Sequence, residues 1–365
     1  MKAIVLAGGF ATRLRPISYV IPKLLFPVAG KPMICWTLDL LKRFRVDEVV
    51  LGVNYLADSL RNVVGDEYRG MRIRYSLESC PLGTAGPIKL ASKLVRLTKT
   101  FIAMNGDVIV DINLSEMLQQ HDSSRAAVTD ALHEVDDPSR FGVVEIDSES
   151  RIVRFLEKPS LRDSPSRLVN AGVYLIDRSV LEMIPSGRSV SLEREIFPVL
   201  ARRGKLGGFF HSDYWFDIGS LSEYRNANFA LMKRMADGSV IRGGRRDVTK
   251  HPGLFPPSII GKKSNIGRQV RLGPNVLAGN NVRIGARTKV SGSILFDDVI
   301  IGGQSTITGA ILGSDTSIGR RVRIDAGAII SPSVVVRDGV RIGKGAIVHP
   351  HKEIAENIKP MVQVM

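Results

Sequence analysis

The chain has little cysteine and no long hydrophobic run. Its 365 residues include two cysteines, Cys35 and Cys80, which are too few for a disulfide framework and lack the spacing of a zinc site. The apolar residues 3–7 form a stretch too short for a signal peptide, and no run approaches membrane-spanning length. These absences predict a reduced, cytoplasmic protein that does not bind a membrane.

Aromatic residues are scarce where positive charge is concentrated. The net charge is +15, and from Asp237 onward 19 lysines and arginines stand against 9 aspartates and glutamates. These basic residues are scattered among the repeats, with almost no aromatic side chains between them on which bases would stack. A nucleic-acid partner is therefore not expected, since a solvated surface or an anionic small molecule explains the charge equally well.

Length and composition indicate a soluble protein of two or more domains, with 44% hydrophobic and 24% charged residues. Residues 1–235 alternate short apolar strands with helical patterns, as in a doubly wound, Rossmann-like α/β domain with a mostly parallel sheet. The predicted helices include residues 33–43 and 85–94, and the predicted strands are residues 3–6, 48–53, 73–76, 101–105, 126–131 and 143–146. Residues 236–257, rich in glycine and proline, read as a linker.

Residues 258–365 carry a six-residue repeat. An aliphatic or small residue recurs at every sixth position, apart from two slips of one residue, and glycine often follows it. This period predicts a parallel β-helix in which the repeated side chains stack in an inward column. The column consists of Ile260, Ile266, Leu272, Ala278, Ile284, Val290, Ile301, Ile307, Leu312, Ile318, Ile324, Ile330, Val336, Ile342 and Val348.

The first predicted strand leads into a loop with the composition of a phosphate site. Gly8 and Gly9 allow the backbone to approach a ligand closely and to turn its N–H groups inward. Arg13 and Lys23 supply the positive charge that a polyphosphate needs. A tight turn with solvated basic side chains is the plainer interpretation, but the combination of features at one strand end favours phosphate binding.

This segment resembles the signature of the sugar-phosphate nucleotidylyltransferases, G-G-x-G-T-R-L-x-P followed by P-K. The sequence has Ala11 in place of one glycine, which costs backbone freedom if that position needs a positive φ. The resemblance implies that Arg13, Lys23 and Asp107 are catalytic, and that the nucleotide site includes Leu6, Ala7, Gly8, Gly9 and Thr12. The C-terminal repeat resembles that of hexapeptide-repeat proteins, which implies a left-handed β-helix with oligomer contacts.

Two carboxylates are candidate metal ligands. Asp107 follows a predicted strand, and Asp217 lies in a W-x-D-x-G segment. Either residue alone could be a helix cap or a turn residue. The resemblance implies that both hold Mg²⁺, a hard cation that prefers oxygen ligands and often shares phosphate oxygens with them.

Residues 81–86 form a Gly-rich loop that opens a helix. The resemblance implies that this loop contacts the nucleobase, through Pro81, Gly83 and Thr84. Glu78 stands where uridylyl and thymidylyl relatives carry glutamine. Because a carboxylate only accepts hydrogen bonds, it suits the adjacent N1–H and N2–H₂ donors of guanine better than uracil or thymine. The sequence thus favours GTP, although Glu78 also fits a solvated strand position.

Three further segments resemble the sugar side of the family. Glu157 and Lys158 lie in an F-x-E-K-P motif, where the lysine binds the phosphate of the sugar and the glutamate binds the sugar. Asn170 and Gly172 lie in N-A-G-x-Y, and Gly142 matches another sugar-side position. Each motif is weak alone, since E-K-P also describes an exposed turn. Their order, together with the segment S-L-E-R-E-I-F-P at residues 191–198, most resembles the mannose-1-phosphate guanylyltransferase branch.

The expected reaction is nucleotidylyl transfer from GTP to mannose 1-phosphate, giving GDP-mannose and pyrophosphate. The first alternative is the same chemistry with UTP or dTTP and glucose 1-phosphate. The second is a non-catalytic regulatory subunit, like those of a translation-initiation exchange factor. A hexapeptide-repeat acyltransferase is disfavoured, because no histidine occupies a convincing catalytic position. The β-helix makes a homo-oligomer the expected assembly.

Overall fold

The computed structural model describes residues 1–54, 56–236, 240–242, 245–247 and 253–365. It divides into two compact units. The first consists of Met1–Phe10 and Met33–Asp217, and the second of Ala11–Pro32 and Ile218–Met365. Within these ranges no helix has both the length and the apolar character that crossing a membrane requires.

The first unit is built on a mostly parallel sheet. Its parallel strands run in the order Thr100–Asn105, Lys2–Leu6, Glu48–Val53 and Met71–Leu77. The inner strands are almost wholly buried, because both faces of a parallel sheet are covered by other elements. Their carboxyl ends therefore meet at one edge of the sheet, where ligands collect in such folds.

Antiparallel strands extend this sheet beyond Thr100–Asn105. Leu168–Asp177 comes next, followed by Gly142–Ile146 and Ile152–Glu157. Val128–Glu134 also pairs with Leu168–Asp177, and Leu206–Phe210 pairs with Val128–Glu134 in parallel. Glu67–Tyr68 lies at the opposite edge, and Val108–Val110 pairs separately with Trp215–Asp217. The helices of this unit are Met33–Arg43, Ala57–Val64, Ala85–Ala91, Leu114–Ser124 and Phe197–Arg202.

One buried carboxyl group in this sheet lacks a hydrogen bond. Asp130 lies in Val128–Glu134 with an exposed fraction of 0%, and within the described ranges neither of its carboxyl oxygens has a partner. Burial, and secondarily the charge of Glu193, raises the pKa of Asp130 well above its usual value. The folded protein therefore holds this proton up to a higher pH than the unfolded chain does.

We expect Asp130→Asn to stabilise the protein at pH 8 by about 1–3 kcal/mol. The unfolded chain ionises this carboxyl near pH ~4 and the folded chain only at a higher pH, so the wild-type protein loses stability as pH rises above ~4. The amide does not ionise, so the difference between the two proteins should shrink towards pH 4. Urea unfolding at pH 5 and pH 8 measures it, with the exposed Asp136→Asn as control. An equal difference at both pH values would contradict the prediction.

The second unit contains the predicted left-handed parallel β-helix, whose strands form three sheets. The first sheet runs through Arg245–Asp247, Val240–Arg242, Ser258–Ile260, Val276–Ala278, Ile294–Leu295, Ile311–Leu312, Ile329–Ile330, Ile347–Val348 and Gln363–Val364. The second runs through Asn265–Ile266, Arg283–Ile284, Ile300–Ile301, Ser317–Ile318, Val335–Val336 and Glu353–Ile354. The third runs through Arg271–Leu272, Lys289–Ser291, Thr306–Thr308, Arg323–Ile324 and Arg341–Ile342.

The predicted inward column is confirmed. Its members form one buried cluster, with Ile266 only partly buried. The sequence pattern missed Leu295, which pairs between Ala278 and Leu312 in the first sheet. Two successive coils are one residue shorter than the others at this point, which explains both slips of the period while the register is kept.

The same unit also includes segments that precede the β-helix. They comprise Ala11–Pro32, with 3-10 turns at Thr12–Leu14, Ile17–Tyr19 and Lys23–Leu25 and a small hairpin of Pro27–Val28 with Lys31–Pro32, and the helix Leu221–Ala236. Of the predicted linker, residues 237–239, 243–244 and 248–252 lie outside the described residues. Its described part contains the first two strands of the first sheet.

Candidate active site

A cleft of about 360 Å³ lies at the carboxyl ends of the central strands of the first unit. Gly8 and Gly9 line it after the first strand, Asn105 lines it at the end of Thr100–Asn105, and Asp107 lines it two residues later. The N–H of Gly106 donates to the carbonyl of Leu6 at 2.8 Å, and Ala7 donates to Gly52 at 2.8 Å. The remaining lining residues are Leu6, Phe10, Glu78, Pro81, Leu82, Gly83, Thr84 and Pro87. The fold thus gathers most of the predicted nucleotide-binding residues of this unit around one cleft.

Gly8 leaves room for the carboxylate of Glu78. A Cβ atom at Gly8 would stand 2.5 Å from Oε1 of Glu78, so any side chain there would displace the carboxylate. Burial raises the pKa of Glu78, and a hydrogen bond from the backbone of Leu82 opposes that rise. The carboxylate therefore lies in the cleft rather than in bulk solvent, as its predicted role in reading the nucleobase requires.

Residues 190–193, which are distant in the sequence, form hydrogen bonds with the Gly-rich loop. Val190 accepts a hydrogen bond from the N–H of Ala85 at 2.9 Å and donates one to the carbonyl of Leu82 at 2.9 Å. The hydroxyl of Thr84 donates to Oε2 of Glu193 at 2.6 Å and accepts from the N–H of Leu192 at 2.8 Å. The sequence analysis did not identify Glu193 as a positioning residue, because its partner lies 109 residues away.

One predicted metal ligand lies in a strand that pairs next to the other. Val108–Val110 pairs with Trp215–Asp217 in antiparallel register, and Asp217 lies opposite Val108. Asp217 is thereby placed opposite the residue that follows Asp107. Carboxylates are a fitting donor set for Mg²⁺, with substrate phosphates as further ligands. In the described ranges no group of three or more His, Cys, Asp or Glu residues forms a protein-only metal site.

Trp215 anchors the strand pair of Val108–Val110 and Trp215–Asp217 to the strands that carry the predicted sugar-side residues. Its Nε1 donates to the carbonyl of Ala171 at 2.9 Å. Its ring packs against Phe141 at 5.1 Å and His133 at 5.4 Å between centroids. The tryptophan of the W-x-D-x-G segment is therefore a structural anchor two residues before Asp217.

The predicted sugar-side residues occupy neighbouring strands. Gly142 pairs with Glu157, and a Cβ atom at Gly142 would stand 3.1 Å from Oε2 of Glu157. Nζ of Lys158 forms an ion pair with Oε1 of Glu157 at 3.0 Å. The lysine is 59% exposed, so it can exchange this partner for a phosphate at little cost.

Asn105 connects the cleft to the sugar-side strand Leu168–Asp177. Gly172 has φ +74°, and a Cβ atom there would stand 2.7 Å from Nδ2 of Asn105. Asn170 accepts from the N–H of Gly172 at 2.7 Å and donates to the hydroxyl of Tyr174 at 2.9 Å. Asn105 was not among the predicted site residues, although its place at a strand end beside Asp107 was a usable signal.

The rest of the signature belongs to the second unit. Ala11 has φ 48°, so the position where the family has glycine does require a left-handed backbone, and alanine bears that strain. Thr12 and Arg13 follow in a 3-10 turn, and Lys23 begins another. Nη2 of Arg13 lies 2.8 Å from the point where Gly219 would carry a Cβ atom. Gly219, the glycine of W-x-D-x-G, thus makes room for the guanidinium.

Comparison with known families agrees with this fold. Residues 2–234 match the family model described as Nucleotidyl transferase, and residues 254–364 match that of the GMPPB C-terminal domain. The first match covers more than half of the chain, so the protein belongs to the nucleotidyl transferase family.

Its relatives within that family are sugar-phosphate enzymes. The chain is similar to a mannose-1-phosphate guanylyltransferase of Mycobacterium tuberculosis, with 35% identity over 310 residues, 82% of this chain and 80% of the relative. It is also similar to mannose-1-phosphate guanylyltransferase 1 of Arabidopsis thaliana, with 41% identity over 61% of this chain and 63% of the relative. A crystal structure of HddC from Yersinia pseudotuberculosis in complex with GMP-PN superposes with a TM-score of 0.53 and 27% identity, covering 63% of this chain and 99% of that chain.

Proposed function

We propose that the protein transfers GMP from GTP to mannose 1-phosphate, giving GDP-mannose and pyrophosphate with the help of Mg²⁺. The observation that carries this proposal is the acceptor-only carboxylate of Glu78, held against Gly8 in the cleft. It suits the paired donors of guanine. The two mannose-1-phosphate guanylyltransferases similar to this chain support the same choice of nucleotide and sugar.

The reaction needs no general base from the protein. A sugar phosphate has a second pKa near ~6 and is already an anion at neutral pH. One of its oxygens forms a bond to the α-phosphorus of GTP while the bond from that phosphorus to the bridging oxygen breaks, and pyrophosphate leaves with the electron pair. Catalysis is then a matter of positioning and charge stabilisation.

Each predicted residue has a role in this proposal. Arg13 and Lys23 hold the triphosphate and offset charge on the transferred group, and Lys158 binds the phosphate of the sugar. Asp107 and Asp217 would hold Mg²⁺, which when bound neutralises phosphate charge. The nucleotide contacts are assigned to Leu6, Ala7, Gly8, Gly9, Thr12, Glu78, Pro81, Gly83 and Thr84, and the sugar contacts to Gly142, Glu157, Asn170 and Gly172.

Pyrophosphate release tests the proposal directly. GTP, UTP, dTTP, ATP and CTP are each combined with mannose 1-phosphate and with glucose 1-phosphate in the presence of Mg²⁺, and an EDTA arm tests the metal requirement. The proposal predicts fastest release with GTP and mannose 1-phosphate and none with EDTA. Fastest release with UTP or dTTP and glucose 1-phosphate would keep the chemistry but discard the role of Glu78. No release from folded protein would favour a regulatory subunit.

We also propose a cytoplasmic homo-oligomer with contacts through the β-helix. Cys35 and Cys80 form no disulfide in the described part of the chain, which suits a reducing compartment. The parallel sheets of a β-helix offer repeated surfaces that a second copy can match. Light scattering coupled to size exclusion measures the oligomeric state, and a monomer at micromolar concentration would contradict this assignment.

A further inference from the structure

One sheet of the β-helix differs from the other two on its outer surface. The residue before each inward side chain points outward, and in the second and third sheets the basic ones among these, such as Arg283, Lys289 and Arg323, are exposed. In the first sheet, over the coils from Ser258 to Leu312, the outward residues are aliphatic and buried: Ile259 (4% exposed), Leu277 (0%), Ile294 (0%) and Ile311 (4%). Further along the same sheet, Ile329 and Ile347 are only partly buried. A β-helix coil has no need of a second buried layer, so this part of the sheet is built to be covered.

The cover includes the segment that carries the predicted phosphate-binding cations, Ala11–Pro32. Phe26 packs edge-on against Tyr224 of the helix Leu221–Ala236 at 5.4 Å and against Phe296 of the β-helix at 5.6 Å between ring centroids. All three rings are at most 2% exposed. Aromatic pairs of this geometry contribute more than their buried area alone.

Hydrogen bonds complete the anchor. The hydroxyl of Tyr224 donates to the carbonyl of Pro27 at 2.7 Å. The N–H of Ala29 donates to Oδ1 of Asn228 at 2.9 Å, and Asn228 is fully buried. A Cβ atom at Gly30 would stand 3.2 Å from the side chain of Ile259. The segment is thus held by packing at Phe26 and Gly30 and by hydrogen bonds at Pro27 and Ala29.

The anchor lies next to both predicted cations. The N–H of Phe26 donates to the carbonyl of Lys23 at 3.0 Å, which closes the turn that begins at Lys23. Arg13 lies against Gly219, two residues before the helix that carries Tyr224. The elements that fix the conformation of the phosphate-binding segment are therefore in the second unit.

We propose that the β-helix acts as the scaffold of the phosphate-binding segment, with Phe296 as a positioning residue that acts through Phe26 on Lys23. The proposal rests on the proposed function in one respect, the role of Lys23 in binding the triphosphate. It gives the β-helix a part in catalysis that does not depend on assembly.

The test compares Phe296→Ala with Ile342→Ala in the full-length protein. Ile342 belongs to the inward column of the β-helix, of which Phe296 is not a member, and it is absent from the aromatic cluster. Hydrogen exchange is measured at the amides of Leu25, Phe26 and Ala29, and pyrophosphate release is measured across GTP concentrations. We expect Phe296→Ala to speed exchange at these amides by at least about 10-fold and to lower kcat/KM for GTP by about 10-fold or more, mainly through KM.

A control variant and two conservative variants distinguish a positioning role of Phe296 from a general loss of stability. Ile342→Ala should lower the melting temperature without changing exchange at these amides or KM for GTP. Phe296→Leu, which keeps apolar volume, should restore most of the activity. If Phe296→Ala does not fold, Tyr224→Phe removes only the hydroxyl that donates to Pro27, and it should still speed exchange at the same amides.

Two outcomes would overturn the scaffold: a folded Phe296→Ala protein with wild-type exchange and kinetics, or an Ile342→Ala protein with the same local changes. If the wild-type protein releases no pyrophosphate, the proposed function fails. The exchange comparison still decides whether the β-helix holds the segment, so the two failures are distinguishable.

Discussion

Asp107→Asn is expected to lower the turnover number for pyrophosphate release by about 10³-fold while leaving the melting temperature nearly unchanged. The amide is the same size as the carboxylate and keeps the backbone bond from Gly106 to Leu6, so the turn should fold as before. It lacks the negative charge that a magnesium ion needs from its ligand. Steady-state kinetics at saturating Mg²⁺ and both substrates measures the effect.

The control for this variant lies at the end of the short strand that follows Asp107. Asp111 follows Val108–Val110 and forms an ion pair with Arg43 at 2.6 Å, so Asp111→Asn removes a charge without touching the predicted metal site. We expect it to keep most of its activity. Asp217→Asn should match Asp107→Asn, and the double variant should lose little more than either single one, because in the proposed site both residues hold the same ion. Near wild-type turnover in Asp107→Asn would refute the metal assignment.

Glu78→Gln should reduce the preference for GTP over UTP by about 100-fold. A glutamine amide offers one donor and one acceptor, whereas guanine presents two adjacent donors to this position. One donor of guanine would then face an N–H group in a half-buried site, and that mismatch costs binding free energy. The ratio of kcat/KM values for the two nucleotides measures it. An unchanged ratio would remove Glu78 from the nucleobase site, and Glu67→Gln, on an exposed edge strand, serves as control.

The pH dependence of kcat/KM in the wild-type protein and in Glu78→Gln gives an independent readout of the role of Glu78. Because burial raises the pKa of Glu78, the carboxylate takes up its proton at a higher pH than an exposed glutamate does. As pH falls through that value, the wild-type protein should lose kcat/KM for GTP, since a protonated acid no longer accepts from both donors of guanine. Glu78→Gln has no proton to gain, so this acid limb should be absent from its profile.

Local sequence patterns predicted the elements well. The helix Met33–Arg43 and the strand Glu48–Val53 have the bounds that periodicity indicates, because a buried strand and an amphipathic helix each leave a distinct spacing of apolar residues. The strand Val128–Glu134 begins two residues later than predicted, which is the usual size of error at an element boundary. The expectation that Ala11 costs backbone freedom if its position needs a positive φ was also correct, since its φ is positive.

Contacts between distant residues were not predictable in this way. Glu193 receives the hydroxyl of Thr84 across 109 residues, and Gly172 packs against Asn105. Nothing in either local segment specifies such a partner. The division of the signature loop, with Gly8 and Gly9 in one compact unit and Arg13 and Lys23 in the other, was likewise invisible, because a motif is continuous in sequence whatever it packs against.

The sequence by itself determined the two architectures, the inward column of the β-helix and the residue types at the strand ends, because these depend on spacing along the chain. Only the tertiary structure decided that Asp217 pairs opposite Val108, the residue after Asp107, that Glu78 faces Gly8, and that part of one outward face of the β-helix is covered. Those facts depend on which strands become neighbours and on the burial that follows. A period of two or six residues records which side chains point inward, but not what meets those that point outward.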